Sequence, residues 1–451
     1  MRGLKTTIAL VVVLGGLFAY IYFVTWKTPA EDASTSASKL EKVFAGLQSD
    51  KVDEIRVHSE SGDSTVLKKD KDGWAIAEPL ATAAQDSEAS GIANALSQLE
   101  VARVIDENPA SLVDYGLGAP RIEIQFKAAG DKDFRKLLIG QKTPTGANLF
   151  AKRNDEKRVF TIAAFQEQTF NRSTFDLRDK TAIKFDRDKV DHVEVTADNK
   201  TIELAKAGGD WKLLKPLQAP SDSAAAEGLI GKVQSAQMKS IVTDNVSAAD
   251  LKKYGLDKPA ASITLGLGSA KASLLLGGKS GDGSLYAKDA SKPLVMTLDP
   301  TLVDDFKKGP DDYRRKDLFS FRAYDATHIE LTRAGQTIAF DKIKAAKPED
   351  ADKWRRAGAK ADADKDKMDV FLAKLESLRA MSFQPDTAKT GLDSPALTVY
   401  AKFDDGKKEE RVTFGKSGSD VYASRPGEPG AAKVNPAEYD EVVKKLNELS
   451  K

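Results

Sequence analysis

Short runs of alternating apolar and polar residues recur along most of the chain, and the same runs return three times. Asp50-Lys51-Val52-Asp53-Glu54-Ile55-Arg56-Val57 is answered by Asp188-Lys189-Val190-Asp191-His192-Val193-Glu194-Val195, and again by Ala326-Thr327-His328-Ile329-Glu330-Leu331. An alternation of period two predicts a strand with one buried face. A tryptophan strand follows in each copy, centred on Trp74, Trp211 and Trp354, the third delayed by a small charged insertion placed near residues 344–353. Apolar residues at helical spacing come next: Ile92, Ala95, Leu96 and Leu99; Leu229, Ile230 and Val233; Val370, Phe371, Leu375 and Leu378, with Lys374 contributing its aliphatic stem.

The sharpest marker is a corner. Asp114-Tyr115-Gly116-Leu117-Gly118-Ala119-Pro120, Lys253-Tyr254-Gly255-Leu256-Asp257-Lys258-Pro259 and Lys389-Thr390-Gly391-Leu392-Asp393-Ser394-Pro395 share Gly-Leu-x-x-Pro. Gly116, Gly255 and Gly391 suit a left-handed residue ending a helical turn. The leucine plugs a core, and Pro120, Pro259 and Pro395 fix the start of the next strand. Further strands, hairpins opened at Gly140, Gly277 and Gly415, and a short closing helix complete each copy. A period of about 137 residues is long enough for each copy to own a core. The expected fold class is α+β: one N-terminal transmembrane helix, then three tandem antiparallel-sheet-plus-helix units at residues 39–182, 183–318 and 319–451.

Residues 6–24 (TTIALVVVLGGLFAYIYFV) are uncharged and close to the roughly 20 residues that span a bilayer. Arg2 and Lys5 precede them, while Tyr20, Tyr22 and Trp26 gather at the far end, which predicts a cytoplasmic N-terminus at residues 1–5. The run exceeds the roughly 7–15 residues of a cleaved leader and no small-x-small site directly follows it, so an uncleaved anchor is expected. Residues 25–38 are small and polar and predict a flexible tether. A capping-box spacing at Ser38 to Glu41, with Leu40, Val43, Phe44 and Leu47 on one face, predicts a helix at the start of the folded part. The bulk is thereby placed in the periplasm or cell exterior of a single-pass protein of the cytoplasmic membrane.

Of 451 residues, 69 are Lys or Arg and 68 Asp or Glu, so no basic footprint for nucleic acid exists. The absence of cysteine excludes disulfides, thiolate metal sites, cysteine nucleophiles and a lipid-bearing cysteine. Gly278-Lys279-Ser280 and Gly415-Lys416-Ser417 look like the tail of a phosphate loop, but Ser273 and Glu410 stand where its first glycine belongs, and strands follow where a helix is required. His58, His192 and His328 fall in different copies and form no ligand set. No Gly-x-Ser-x-Gly elbow occurs, and residues 359–369 alternate in charge as a solvated face does. No catalytic, cofactor-binding or metal residues are therefore expected. The positions that invite attention are Arg178 and Lys180 and their counterparts Arg314 and Lys316, where a guanidinium at a copy boundary can clamp neighbouring carbonyls or carboxylates.

The repeated Trp strand, Tyr-Gly-Leu-x-x-Pro corner and Tyr/Leu-Arg-x-Lys junction, from Lys39 to Lys451, resemble the domain of unknown function 4340 family. Thr390 departs from the corner tyrosine. Members commonly stand beside gliding-motility-type ABC transporter components, so the resemblance implies an accessory role in envelope transport, with a membrane partner such as an ABC transporter permease. It carries over no catalytic residues. The expected function is a non-enzymatic, membrane-anchored envelope protein acting through its surfaces. Two alternatives stand beside it: a module binding glycan or peptidoglycan, with Tyr286 and Tyr422 stacking on sugars, and a hydrolase using acids that converge in a cleft.

Overall fold

The computed structural model describes residues 40–347, 351–387 and 389–449. They form three antiparallel sheets of one design. In the first, β1 (Val52–His58), β2 (Ser64–Asp70), β3 (Gly73–Glu78) and β4 (Thr82–Ala83) make one meander, and β6 (Ile122–Ala128), β7 (Arg135–Lys142), β8 (Asn148–Arg153) and β9 (Val159–Ala163) make another. The two join where β1 pairs with β6, and β5 (Arg103–Asp106) closes the far edge on β9, giving the order β4-β3-β2-β1-β6-β7-β8-β9-β5. The helix Asp86–Gln98 links β4 at one edge to β5 at the other, so it must cross the sheet.

The second sheet repeats this order with β10 (His192–Ala197), β11 (Lys200–Ala207), β12 (Asp210–Lys215), β13 (Ala219–Pro220), β14 (Ser240–Thr243), β15 (Ala261–Leu267), β16 (Ala270–Lys279), β17 (Leu285–Asp289) and β18 (Val295–Leu298). The third has eight strands: β19 (Ala326–Arg333), β20 (Gln336–Ile343), β21 (Lys353–Arg356), β22 (Ala380–Gln384), β23 (Leu397–Phe403), β24 (Lys408–Ser417), β25 (Asp420–Ser424) and β26 (Ala431–Val434). By Cα proximity the chain divides into two compact units, Met1–Asp179 and Lys180–Lys451, so the second and third sheets share a unit.

Alternation produces the core. In β6, Ile122, Ile124, Phe126 and Ala128 are buried and the residues between them are not. They meet Ile92, Ala93 and Leu96 of the crossing helix, each large side chain contributing about 1.5–3 kcal/mol by leaving water. The crossing helices Ser223–Gln234 and Lys365–Glu376 bury equivalent faces, Leu229, Ile230 and Val233 in one and Phe371, Leu372 and Leu375 in the other. Val370, expected inside, is 44% exposed because the buried stripe runs through Leu372 instead.

The expected helix at the start of the folded part is a turn: Lys42 pairs with Glu100, Val43 and Phe44 are buried, and Leu40 is 46% exposed. The membrane-spanning helix expected at residues 6–24, the cytoplasmic residues 1–5 and the tether at 25–38 lie outside the described residues. Among the described residues no helix is long and apolar enough to cross a membrane. The longest of them, Pro436–Leu449, has 14 residues and an amphipathic sequence. At 1.5 Å per residue it reaches about 21 Å against roughly 30 Å of hydrocarbon. The architecture is corrected accordingly to an α+β fold of three tandem sheet-and-helix repeats. The single-pass topology and the cytoplasmic-membrane and periplasmic address rested on that anchor, the permease partner and the transport-accessory role on the family resemblance, and no described element supports any of them. The envelope-polymer alternative shared that address, which no described element supports.

Candidate functional site

The three tryptophans occupy one structural position. Trp74, Trp211 and Trp354 are buried, and each lies under the lysine of the neighbouring strand: Lys69, Lys206 and Lys342 stand 5.9, 4.9 and 5.8 Å from the ring centres. The corners also match. Gly116, Gly255 and Gly391 have φ of 67°, 69° and 74°. A Cβ on Gly140, Gly277 or Gly415 would collide with the carbonyl of Tyr115, Tyr254 or Thr390. Contrary to the expectation from the sequence, these second glycines do not open the hairpins. They lie inside β7, β16 and β24 and let the corner close onto the strand. Pro120 and Pro259 are half-buried and Pro395 is exposed. Tyr115 packs on Phe150 and Tyr254 on Tyr286, at centroid distances of 5.2 and 4.6 Å. Tyr286 thus serves its own corner, and Tyr422 reaches Asp420, at 3.4 Å. Both rings are half-buried.

The junction residues are backbone partners first. Arg178 bridges to Ala84, and Arg314 to Ser221. The carbonyl of Lys180 accepts from Met238 N–H at 2.7 Å and that of Lys316 from Ala380 N–H at 2.8 Å. Arg314 is 4% exposed. Its guanidinium lies 3.7 Å over the Phe383 ring and donates to the Pro429 carbonyl at 3.1 Å, while Nε has no partner. Burial pulls its pKa below the ordinary guanidinium value, and Glu428 opposes that pull. Through it the end of the second repeat grips the third.

Beside that junction lies a cavity of about 520 Å³ lined by Arg315, Tyr400, Glu409, Glu410, Arg425 and Glu428 among others. Three acids line it, and each is engaged. Glu410 accepts from the Ser320 and Phe321 N–H groups at 2.9 and 3.0 Å, Glu428 pairs with Arg425 at 2.6 Å, and Glu409 takes the Tyr400 hydroxyl at 2.5 Å. These acids hold the loop and the junction, so the hydrolase alternative finds no support in them. Among the described residues no group of three or more acids or histidines converges as a metal site would require. The histidines reach across their own strand pairs, His58 to Ser64 at 2.9 Å, His192 to Glu203 at 3.0 Å and His328 to Asp341 at 2.7 Å.

The most promising opening lies between the first hairpin of the second repeat and its closing turn. In the first repeat this place is shut. The hairpin between β1 and β2 carries Glu60, whose N–H donates to Asn171 Oδ1 at 3.0 Å, and the floor is sealed where Thr65 Oγ1 meets Thr174 Oγ1 at 2.7 Å. Arg121 and Lys142 tie in Glu60 and Glu167. In the second repeat the hairpin is one residue shorter, turning on Asp198 and Asn199, which both have positive φ. Ile202 and Pro310 replace the two threonines, and Lys307 replaces Asn171.

The result is a groove of about 750 Å³ with Ala197, Ile202, Pro216, Phe306 and Pro310 as its apolar surfaces, within the size range of ligand pockets. Four lysines, Lys200, Lys215, Lys307 and Lys308, line it against a single acid, Asp198. Lys307 reaches Asp198 at 3.3 Å, Lys215 reaches Glu203 at 2.6 Å and Lys308 reaches Asp305 at 2.8 Å. Lys200 makes no ion pair among the described residues. The hydrogen bond from Lys215 to Glu203 raises the lysine pKa, and His192 with Lys215 holds Glu203 below the usual carboxylate range. Sequence reasoning missed the groove, because its signature is a one-residue deletion and two lost hydroxyls relative to another copy, not a motif.

No curated protein matches the chain. Among solved structures, a DNA polymerase sliding clamp from Pseudomonas aeruginosa with ligand is 11% identical, over 88% of this chain and 93% of that one, at a TM-score of 0.16. A DnaN sliding clamp from Pseudomonas aeruginosa bound to griselimycin is 10% identical, over 88% and 94%, also at 0.16. Scores so low carry no inference about fold or activity. The profile described as "Domain of unknown function (DUF4340)" matches residues 74–218, running from the first repeat into the second, and 211–395, running from the second into the third. Those stretches span the Trp strands and the Gly-Leu-x-x-Pro corners just described, and the chain belongs to the DUF4340 family.

Proposed function

We propose that this chain is a protein-binding module, not an enzyme, and that the groove of its second repeat seats an acidic segment of a partner carrying one large apolar side chain. One observation carries the reading: an apolar floor ringed by four lysines stands open where the first repeat seals the same place with its own hydroxyls and amide. Burying an apolar anchor supplies affinity, and the lysine rim selects acidic flanks and speeds encounter.

The test uses an array of nine-residue peptides with a central Leu, Phe or Trp flanked by Glu, presented to the full chain. The reading expects micromolar binding that weakens as salt rises, because rim charges are screened beyond about 8 Å at physiological ionic strength. The double change Lys200→Glu with Lys307→Glu should weaken binding at least tenfold, and Lys132→Glu, in the other unit, should leave it unchanged. Installing the first repeat's hydroxyl pair, Ile202→Thr with Pro310→Thr, should also abolish binding. Peptides with neutral flanks binding equally well, or no peptide binding at all, would overturn the proposal.

A further inference from the structure

The repeats differ in a second way, at the outer edge of the strand that follows each tryptophan. In the first repeat Ala84 N–H donates to the Trp74 carbonyl, Gln85 N–H to the Leu177 carbonyl at 2.8 Å, and Asp179 N–H to the Ala83 carbonyl at 3.0 Å. The second repeat uses the same three bonds: Ser221 N–H to Trp211, Asp222 N–H to the Tyr313 carbonyl at 2.7 Å, and Arg315 N–H to the Pro220 carbonyl at 3.0 Å. An extended outgoing segment thus pairs with the edge in both copies. Each segment places a fully buried side chain first, Leu177 or Tyr313, and both read apolar-Arg-x-Lys.

The third repeat keeps the inner bond, from Ala363 N–H to the Trp354 carbonyl at 2.7 Å, and lacks the outer two. After β26 its chain enters the helix Pro436–Leu449 in place of the two short helices and outgoing segment of the earlier copies. The Asp364 N–H and the Asp362 carbonyl have no partner among the described residues. Exposure follows: Ala84 and Ser221 are 8% and 6% exposed, whereas Ala363 is only half-buried and Asp362 and Asp364 are exposed. A cavity of about 650 Å³ adjoins this edge, lined in part by Ile343, Asp362, Ala363 and Lys365. An open strand edge is a template for pairing.

We propose that the Asp362–Asp364 edge takes up an extended segment of a partner protein in the register that the chain itself uses twice. In that register a large apolar residue i accepts from Asp364 N–H, and residue i+2 donates its N–H to the Asp362 carbonyl. Residue i+1 is basic, as in Arg178 and Arg314. The two exposed side chains of this edge are both aspartates, where the first repeat has Ala83 and Gln85. Lys353 and Arg355 already share the Asp362 charge, and Asp364 also caps the following helix through Lys367 N–H. A second copy of this chain is a poorer occupant, because its two segments of this kind are already paired within their own repeats. The inference stands on backbone pairing and is independent of the groove.

The probe is a fluorescent nine-residue peptide copying residues 310–318 of this chain (PDDYRRKDL), titrated into the full-length protein. The proposal expects saturable binding with slowed exchange of the Asp364 amide. Asp364 has φ of −63°, which proline adopts without strain, so Asp364→Pro removes the donor N–H. It should weaken the peptide about fivefold to tenfold, as one lost hydrogen bond does, and Asp364→Ser, which keeps both donor and cap, should bind like the parent. Since the proline variant also loses the cap, a second arm leaves the protein intact and N-methylates the peptide at the residue copying Arg315, again with a fivefold or greater loss expected. Equal binding of the methylated and plain peptides, or an Asp364 amide that exchanges equally fast with peptide present, would overturn the proposal.

Discussion

Gly277→Ala isolates the corner as a cause of stability. The φ of Gly277 lies outside the left-handed region, so the added methyl brings no backbone penalty and only a collision. Its Cβ would run into the Tyr254 carbonyl and stand 3.1 Å from the Leu256 side chain. Relief requires the corner to retreat from β16, stretching the bond from Gly278 N–H to the Tyr254 carbonyl, now 2.9 Å. Overpacking of this kind costs about 1–3 kcal/mol and the hydrogen bond about 1 kcal/mol more, roughly 3 kcal/mol together. With a urea dependence near 3 kcal/mol per molar, the midpoint for the unit Lys180–Lys451 should fall by about 1 M. Far-UV circular dichroism along a urea series reads the shift. The matched control is Gly281→Ala, where nothing lies within 4 Å of the new methyl, and it should change stability by less than about 0.5 kcal/mol. If Gly277→Ala unfolds with the control, the tight approach of corner to strand contributes nothing and the argument fails.

Three further outcomes follow from the geometry. Arg314→Ala should destabilise the unit of the second and third repeats by about 2 kcal/mol, whereas Arg314→Met should be neutral or stabilising, since a partly unsatisfied buried guanidinium gives way to an apolar side chain that still packs on Phe383; paired urea titrations decide it. In the first repeat, the hydrogen bond from Arg121 holds Glu60 below the usual carboxylate range; burial pushes Glu167 upward, but Lys142 and Arg121 outweigh it. A depressed folded pKa gives stability that is present above the unfolded value of about 4.3 and lost as pH falls through the folded value, so Arg121→Ala should flatten the acid limb of a stability-against-pH curve and leave its neutral-to-alkaline shape unchanged. Thr65→Val leaves the Thr174 hydroxyl without its partner beneath a residue only 1% exposed, and should cost about 1–2 kcal/mol in thermal or urea unfolding of the first unit.

Much of the repeat was legible because its causes are local. Alternation fixed the strands flanking Trp74 and Trp211, and the left-handed glycine of each corner announced itself as Gly-Leu-x-x-Pro. The edge strands β5, β14 and β22 were not legible: each has only four or five residues, with no clean alternation, and exists because a distant strand pairs with it. The start of the folded part misled for a related reason. Val43, Phe44 and Leu47 have helical spacing, yet the backbone of Val43 and its neighbours bonds to Leu99 and Val101 instead of to itself. The candidate groove and the open edge were hidden because both are differences between copies, visible only once register shows which residues correspond.

The lysine-covered tryptophans give every repeat its own optical label. Replacing any two of Trp74, Trp211 and Trp354 by phenylalanine, with Trp26 removed as well, leaves one indole whose emission reports on one sheet alone, under an ammonium 4.9–5.9 Å from the ring centre. Solvent release of that ring then reads how each sheet comes apart, separately from its neighbours, without any dye attached.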